Sequence, residues 1–131
     1  MGRRGIWWFQ CLLEMEDDEK VMSLVEEAGA RGFGIWMAVV FELYRYGNET
    51  VAPMPSDKLV RRVAMRMCEP SEDVRRCCDL LASIGLLNEE LWSDGKAANE
   101  HAAAQILAYW RKVEGGRQTA KARWGEKPQM K

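Results

Sequence analysis

Apolar positions recur along most of this chain with the spacing of helices, and short polar or Gly/Pro breaks divide them. Ile6 to Leu13 is rich in aromatics and reads as a short strand or extended arm lying on the core. Asp17 or Asp18 is placed to cap a helix over roughly residues 18–28, where Val21, Leu24, Val25 and Ala28 share a face and Glu26 and Glu27 face water. Gly29 fits its stop. Arg31 to Tyr46 is apolar nearly all round, the pattern of a central helix buried on most sides. Gly32 and Gly34 lower its intrinsic helix stability, which points to a close approach of a neighbouring helix. Thr50-Val51-Ala52 suits a short strand stopped by Pro53 and Pro55.

Two shorter amphipathic helices follow. Ser56 is a suitable N-cap for one reaching about Met67, with Leu59, Val60, Val63 and Met67 inward and Lys58, Arg61, Arg62, Met65 and Arg66 outward. Ser71 caps the next, about residues 71–84, with Glu72 and Asp73 in its favourable first turn and Val74, Cys77, Cys78, Leu81 and Ile84 as its core stripe. Leu86 to Trp92, the Asp94-Gly95 turn signal and Lys96 to Ala98 read as a β-hairpin. Asn99 caps a last helix to about Val113, with Ala103, Ile106, Leu107, Trp110 and Val113 as one stripe, broken at Gly115-Gly116. The order of buried helix, short strand, helix, tight connection, helix and hairpin is that of a winged helix-turn-helix, mainly α with a small β-hairpin wing of residues 86–98. The expected division is a winged-helix domain with its aromatic arm over 1–113 and a basic, mobile tail over 114–131.

Composition narrows the function classes. The 131 residues suffice for one core-bearing domain, and 47% hydrophobic with 30% charged content is ordinary for a globular one. Twenty acids against 19 bases, a formal charge of −1, exclude a strongly basic nucleic-acid protein but not a locally basic one. Resolved by position, the charge splits. Residues 14–49 carry Glu14, Glu16, Asp17, Asp18, Glu19, Glu26, Glu27, Glu42 and Glu49 against Lys20, Arg31 and Arg45. Residues 108–131 carry Arg111, Lys112, Arg117, Lys121, Arg123, Lys127 and Lys131 against Glu114 and Glu126.

No apolar run approaches the ~18 residues of a spanning helix, and the acids from Glu14 argue against a signal peptide, so no membrane association is expected. Cys11, Cys68, Cys77 and Cys78 form no C-x-x-C pair, and vicinal Cys77 and Cys78 are poor disulfide partners on a helix. They read as reduced thiols in a cytoplasmic protein. With His101 the one histidine, no metal site is expected. No phosphate-cradling Gly loop and no nucleophile–base spacing appears, so no catalytic residue, no cofactor, no small-molecule substrate and no enzyme activity are expected.

Three segments resemble the N-terminal domain of phage and mobile-element replication proteins, the replisome-organiser or DnaD-like group. The first is Trp7-Trp8-Phe9 followed by Asp18-Glu19-Lys20. The second and most specific is Gly29-Ala30-Arg31-Gly32-Phe33-Gly34-Ile35-Trp36-Met37 with Phe41-Glu42-Leu43-Tyr44, similar to the Gly-x-x-Gly-Tyr-Gly-x-Tyr-Trp helix of that group. The third is Gly85-Leu86-Leu87, entering the wing, and the tail from Gly115 to Gly125 is similar to the basic tails of many such proteins. The resemblance spans about residues 5–125 and implies a DNA-associated or replisome-assembly role, with no enzyme activity.

The residues themselves supply candidates for that role. Lys58, Arg61, Arg62 and Arg66 share one helix face, where the first helix of a helix-turn-helix crosses the phosphate backbone; a plain solvated face is the alternative. Arg75 and Arg76 lie where a recognition helix reads bases, or else pair with Glu72 and Asp79 one turn away. Lys96, with Trp92, sits near the wing tip, and Arg117, Lys121 and Arg123 bracket Trp124 in a basic-aromatic arrangement suited to phosphate attraction and stacking. The expected function is DNA association in phage or mobile-element replication initiation. The rival is a protein-interaction module, self-associating as a homo-oligomer or docking a replisome protein, without direct DNA binding.

Overall fold

The computed structural model describes residues 19–124, with side chains to residue 116. The aromatic arm, Cys11, the acids from Glu14 to Asp18 with their capping role, and residues 125–131 lie outside the described residues, as do the side chains of Arg117, Lys121, Arg123 and Trp124. Among the described residues the order is α1 (Glu19–Gly47), β1 (Met54–Pro55), α2 (Ser56–Met67), α3 (Ser71–Ser83), α4 (Glu89–Ser93), β2 (Lys96–Ala97) and α5 (Glu100–Trp124). This is a mainly α architecture with a two-stranded antiparallel sheet, consistent with a winged helix.

The first helix is two segments joined at a kink. Gly29 has φ 66° and ψ −162°, so the expected stop becomes a bend after which the helix resumes. A Cβ at Gly29 would meet nothing within 4 Å; the left-handed backbone, not crowding, is what requires glycine there. Beyond the bend Ile35, Trp36, Ala38, Val39, Val40, Glu42 and Leu43 are buried, which makes this segment the central strut of the core. Gly34 faces Met67 of α2, the close approach its sequence suggested, whereas Gly32 is closed in by Ala28 across the kink.

Helices α2 and α3 occupy the predicted ranges. Leu59, Val60, Val63 and Ala64 of α2 and Val74, Cys77, Cys78 and Leu81 of α3 are buried against α1, and Met67 and Ile84 pack at the margin. Their caps differ by one residue from expectation. Pro55 and Pro70 hold the N-cap positions in extended conformation, so Ser56 and Ser71 are the first helical residues and make no side-chain cap. The fixed φ of proline preorganises an extended entry into each helix. The turn between them is closed by Cys68 at φ 53°, whose N–H, with that of Glu69, donates to the Ala64 carbonyl.

The wing departs from expectation. Residues 86–98 do not form a hairpin. Asn88 caps a short helix, its Oδ1 accepting from the Leu91 N–H at 2.9 Å, with Glu89 and Glu90 in the first turn. Asp94-Gly95 ends that helix and releases β2, which pairs with β1 in the register Met54↔Ala97 and Pro55↔Lys96. Nor is Thr50–Ala52 the strand: the Thr50 hydroxyl accepts from the Ala52 N–H at 3.1 Å and folds the segment into a local turn. Pro55 is tolerated within β1 because a two-stranded sheet is all edge.

Asn99 caps α5 as expected, accepting from the Ala102 N–H at 2.9 Å. The helix does not end near Val113 but continues through Gly115 and Gly116 to Trp124; glycine costs a helix about 1 kcal/mol relative to alanine without forbidding it. Its buried face is also rotated from the expected stripe: Ala102 is buried, Ile106 and Trp110 half-buried, and Ala103 and Leu107 exposed. The Trp110 Nε1–H donates to the Gly47 carbonyl at 2.8 Å and the Tyr44 hydroxyl to Gln105 Oε1 at 2.6 Å, which fasten α5 to the end of α1.

A Gly29→Ala variant is expected to lose about 1–3 kcal/mol, the cost of an L-residue held at positive φ with extended ψ, in equilibrium urea unfolding. An unchanged midpoint would show that the bend relaxes without strain.

Candidate nucleic-acid interface

The outward face of α2 carries the basic residues at the predicted i, i+3, i+4 spacing, but they differ in what holds them. Arg61 is exposed and takes part in no ion pair among the described residues. The Lys58 ammonium lies 5.0 Å from the centre of the Tyr46 ring, a cation–π contact to the end of α1. Arg62 and Arg66 turn toward Glu42, which lies on α1 at 1% exposure. Arg66 Nε donates to Glu42 Oε2 and Arg62 Nε lies 3.5 Å from Oε1, while Arg45 Nη1 donates to Oε2 at 3.2 Å. A buried carboxylate needs such donors, since a lone charge away from water is strongly disfavoured.

Sequence reasoning singled out the arginines and missed the glutamate. Its signal was present: one acid, Glu42, inside a helix otherwise apolar on most sides demands a partner from another element.

Lys96 lies on the sheet. It is exposed and paired in register with Pro55, and the Ser56 N–H donates to the Gly95 carbonyl at 2.9 Å, so β2 abuts the start of α2. Lys58, Arg61, Arg62 and Arg66 thus share one side of α2, and Lys96 lies on the strand that abuts the start of that helix.

The arginines of α3 are engaged elsewhere. Arg75 reaches Asp57 of α2 at 2.5 Å and lies 5.8 Å from the centre of the Trp92 ring on α4. Arg76 pairs with Asp73 at 3.6 Å rather than with Glu72. Asp79 accepts from the Trp92 Nε1–H at 2.8 Å rather than pairing with Arg75, and Trp92 packs against the core margin from α4 instead of from a hairpin. Arg31 of α1 donates to Glu69 and, at 2.7 Å, to Asp73. Glu69 first, then Asp73, raises the pKa of the Arg31 guanidinium above its ordinary value. Together these contacts cross-link α1, α2, α3 and α4 and leave α3 a face of paired charges.

The thiols sit apart from this surface. Cys68 is exposed at the turn; Cys77 and Cys78 are buried and free. Burial raises the Cys77 pKa and pushes that of Cys78 up to about 12, with Cys77 and Asp79 adding to the latter. His101 is exposed on α5 beside Gln105. Among the described residues no three of His, Cys, Asp and Glu gather as metal donors, and no helix is long and apolar enough to cross a membrane.

A buried central helix, a helix pair joined by a tight left-handed turn and a small sheet abutting the first of that pair define a mainly helical domain, consistent with a winged helix, with a basic α2 face. The sequence profile of the Lin1244/Lin1753-like N-terminal family matches residues 8–98, and the chain belongs to that family. No curated protein and no solved structure matches the chain.

The thiol environment has a testable sign. A thiol whose pKa is raised in the folded state stays protonated where the unfolded chain ionises, so its contribution to stability is present below about pH 9 and lost as pH rises toward about 12. Mass-spectrometric mapping of iodoacetamide alkylation at pH 8 is expected to find Cys68 modified and Cys78 protected, with Cys78 reacting only on unfolding. Equal labelling of the two would contradict the burial.

Proposed function

We propose that this domain is a DNA-associated winged-helix module of phage or mobile-element replication, of the replisome-organiser, DnaD-like kind, acting without catalysis. The observation that carries the reading is the basic face of Lys58, Arg61, Arg62 and Arg66, with Lys96 on the strand abutting its start, on the helix that corresponds in order to the one crossing the phosphate backbone in helix-turn-helix proteins. The resemblance of the Gly29–Met37 segment to those replication proteins supports the same role. Binding runs through phosphates rather than base edges, because Arg75 is committed to Asp57 and Trp92 and Arg76 is flanked by Glu72 and Asp73. The net charge of −1 keeps such binding modest. The tail bases Arg117, Lys121 and Arg123 add to it in this reading.

Four to five phosphate contacts imply a slope of about −4 in log K against log salt on duplex DNA. Charge reversal of Arg61 and Lys96, which form no ion pair among the described residues, as Arg61→Glu with Lys96→Glu, is expected to cut affinity at least tenfold and reduce the slope by about 2, with thermal stability unchanged. Binding that ignores salt, or survives this double reversal, rules the reading out.

One observation favours a second reading, protein interaction. Phe41 at 43%, Leu107 at 38% and Tyr109 at 50% exposure place large apolar groups on α1 and α5, and Phe41 and Tyr109 line an open cavity of about 370 Å³. Apolar exposure of that kind suits self-association or a replisome partner. Light scattering decides the first: a monomer at all concentrations excludes a homo-oligomer.

A further inference from the structure

Arg62 and Arg66 stand one helical turn apart on α2, and both reach the same buried carboxylate through Nε. A guanidinium has five N–H donors in a planar fork, so a contact through Nε leaves the terminal Nη groups available. Neither arginine has another ion-pair partner among the described residues, and their side chains are 41% and 50% exposed. Between them lies a solvent-open cavity of about 270 Å³ lined by Arg62, Met65 and Arg66 alone. Among the described residues, three guanidinium groups around one carboxylate leave two positive charges uncompensated at this spot. The carboxylate lies on the inner side, at 1% exposure, so an anion arriving from solvent meets the arginine forks rather than the acid.

We propose that this cavity is a clamp for a single phosphate group, with the Nη groups of Arg62 and Arg66 as its donors and Glu42 as the positioning residue. The proposal rests on reading the α2 face as the phosphate-contacting surface and adds to it one defined site with a fixed inner anchor. Glu42 holds two long side chains in the orientation the phosphate needs, so the ordering cost is met before binding. This assigns the acid a role opposite to that of bulk charge. Counted as charge, Glu42 repels DNA; counted as a positioning group, it raises affinity.

The two accounts differ in sign and are separated by comparing Glu42→Gln with Glu49→Gln, an exposed site where the same change of net charge occurs. Glu42→Gln is expected to weaken binding to duplex DNA about tenfold at fixed salt, while Glu49→Gln leaves it unchanged or slightly tighter. Equal or tighter binding by Glu42→Gln overturns the proposal. The double variant Arg62→Lys with Arg66→Lys keeps the charge and lacks the fork, and is expected to lose as much as Glu42→Gln; full retention overturns it as well.

Titration of the unsubstituted full chain with inorganic phosphate, followed by the arginine Nε–H resonances, decides the matter should Glu42→Gln fail to fold. The Arg62 and Arg66 signals are expected to move at lower phosphate than that of Arg61. Uniform movement, or none, overturns the clamp. Movement of this pair in a chain that binds no DNA upholds the clamp and removes the DNA reading. DNA binding abolished by Arg61→Glu with Lys96→Glu, in a chain whose pair ignores phosphate, upholds the DNA reading and removes the clamp.

Discussion

Taking a carboxylate out of water costs several kcal/mol unless hydrogen-bond donors converge on it, and at Glu42 they converge from two helices. Arg45 arrives from the same turn of α1; Arg62 and Arg66 arrive from α2. That requirement fixes how α2 is rotated about its own axis, because Arg62 and Arg66 must flank α1 while Leu59, Val60 and Val63 enter the core. The polar demand and the apolar stripe select one and the same docking. Agreement between them is what a sequence needs in order to specify a single arrangement. The basic face is therefore not a loose fringe of charge, since part of it is tied into the helix contact that organises the domain.

Much of the helical framework is legible in the sequence because it is encoded locally. The stripes Leu59–Met67 and Val74–Leu81 repeat at helical spacing, and the Pro-Ser pairs at 55–56 and 70–71 mark their starts to within one residue. The wing was not legible for a matching reason. Asp94-Gly95 does mark a reversal, but what precedes it is a helix capped by Asn88, and the strand it releases pairs with Met54-Pro55 far back in the chain. Strand pairing between distant segments leaves no periodic trace in either. The length of α5 was hidden too, since the glycine pair at 115–116 lowers helix stability without ending the helix.

The candidate surface divides along the same line. That Lys58, Arg61, Arg62 and Arg66 share a face follows from spacing alone. Which of them are free and which anchored does not, because Glu42 lies on another helix and becomes their partner only through docking. Likewise Arg75 and Arg76 look equivalent in sequence. Folding gives Arg75 an aspartate on α2 and an indole on α4, and leaves Arg76 with its neighbour Asp73. A helix whose cations brace its neighbours is suited to holding a scaffold in shape.

The two-residue sheet carries a consequence out of proportion to its size. By joining Met54 to Ala97 it closes a loop of about forty residues containing α2, α3 and α4, an ordering that costs about 3 kcal/mol in chain entropy before its contacts form. Met54 and Ala97 are both fully enclosed, so the clasp is part of the core and not an ornament on its rim. The segment between its ends is thus a closed unit of the chain, with both of its ends held at one point of the core. The central helix lies outside this closed segment in the chain and packs against both helices of the pair, so the segment's apolar faces are buried by an element that the clasp does not enclose.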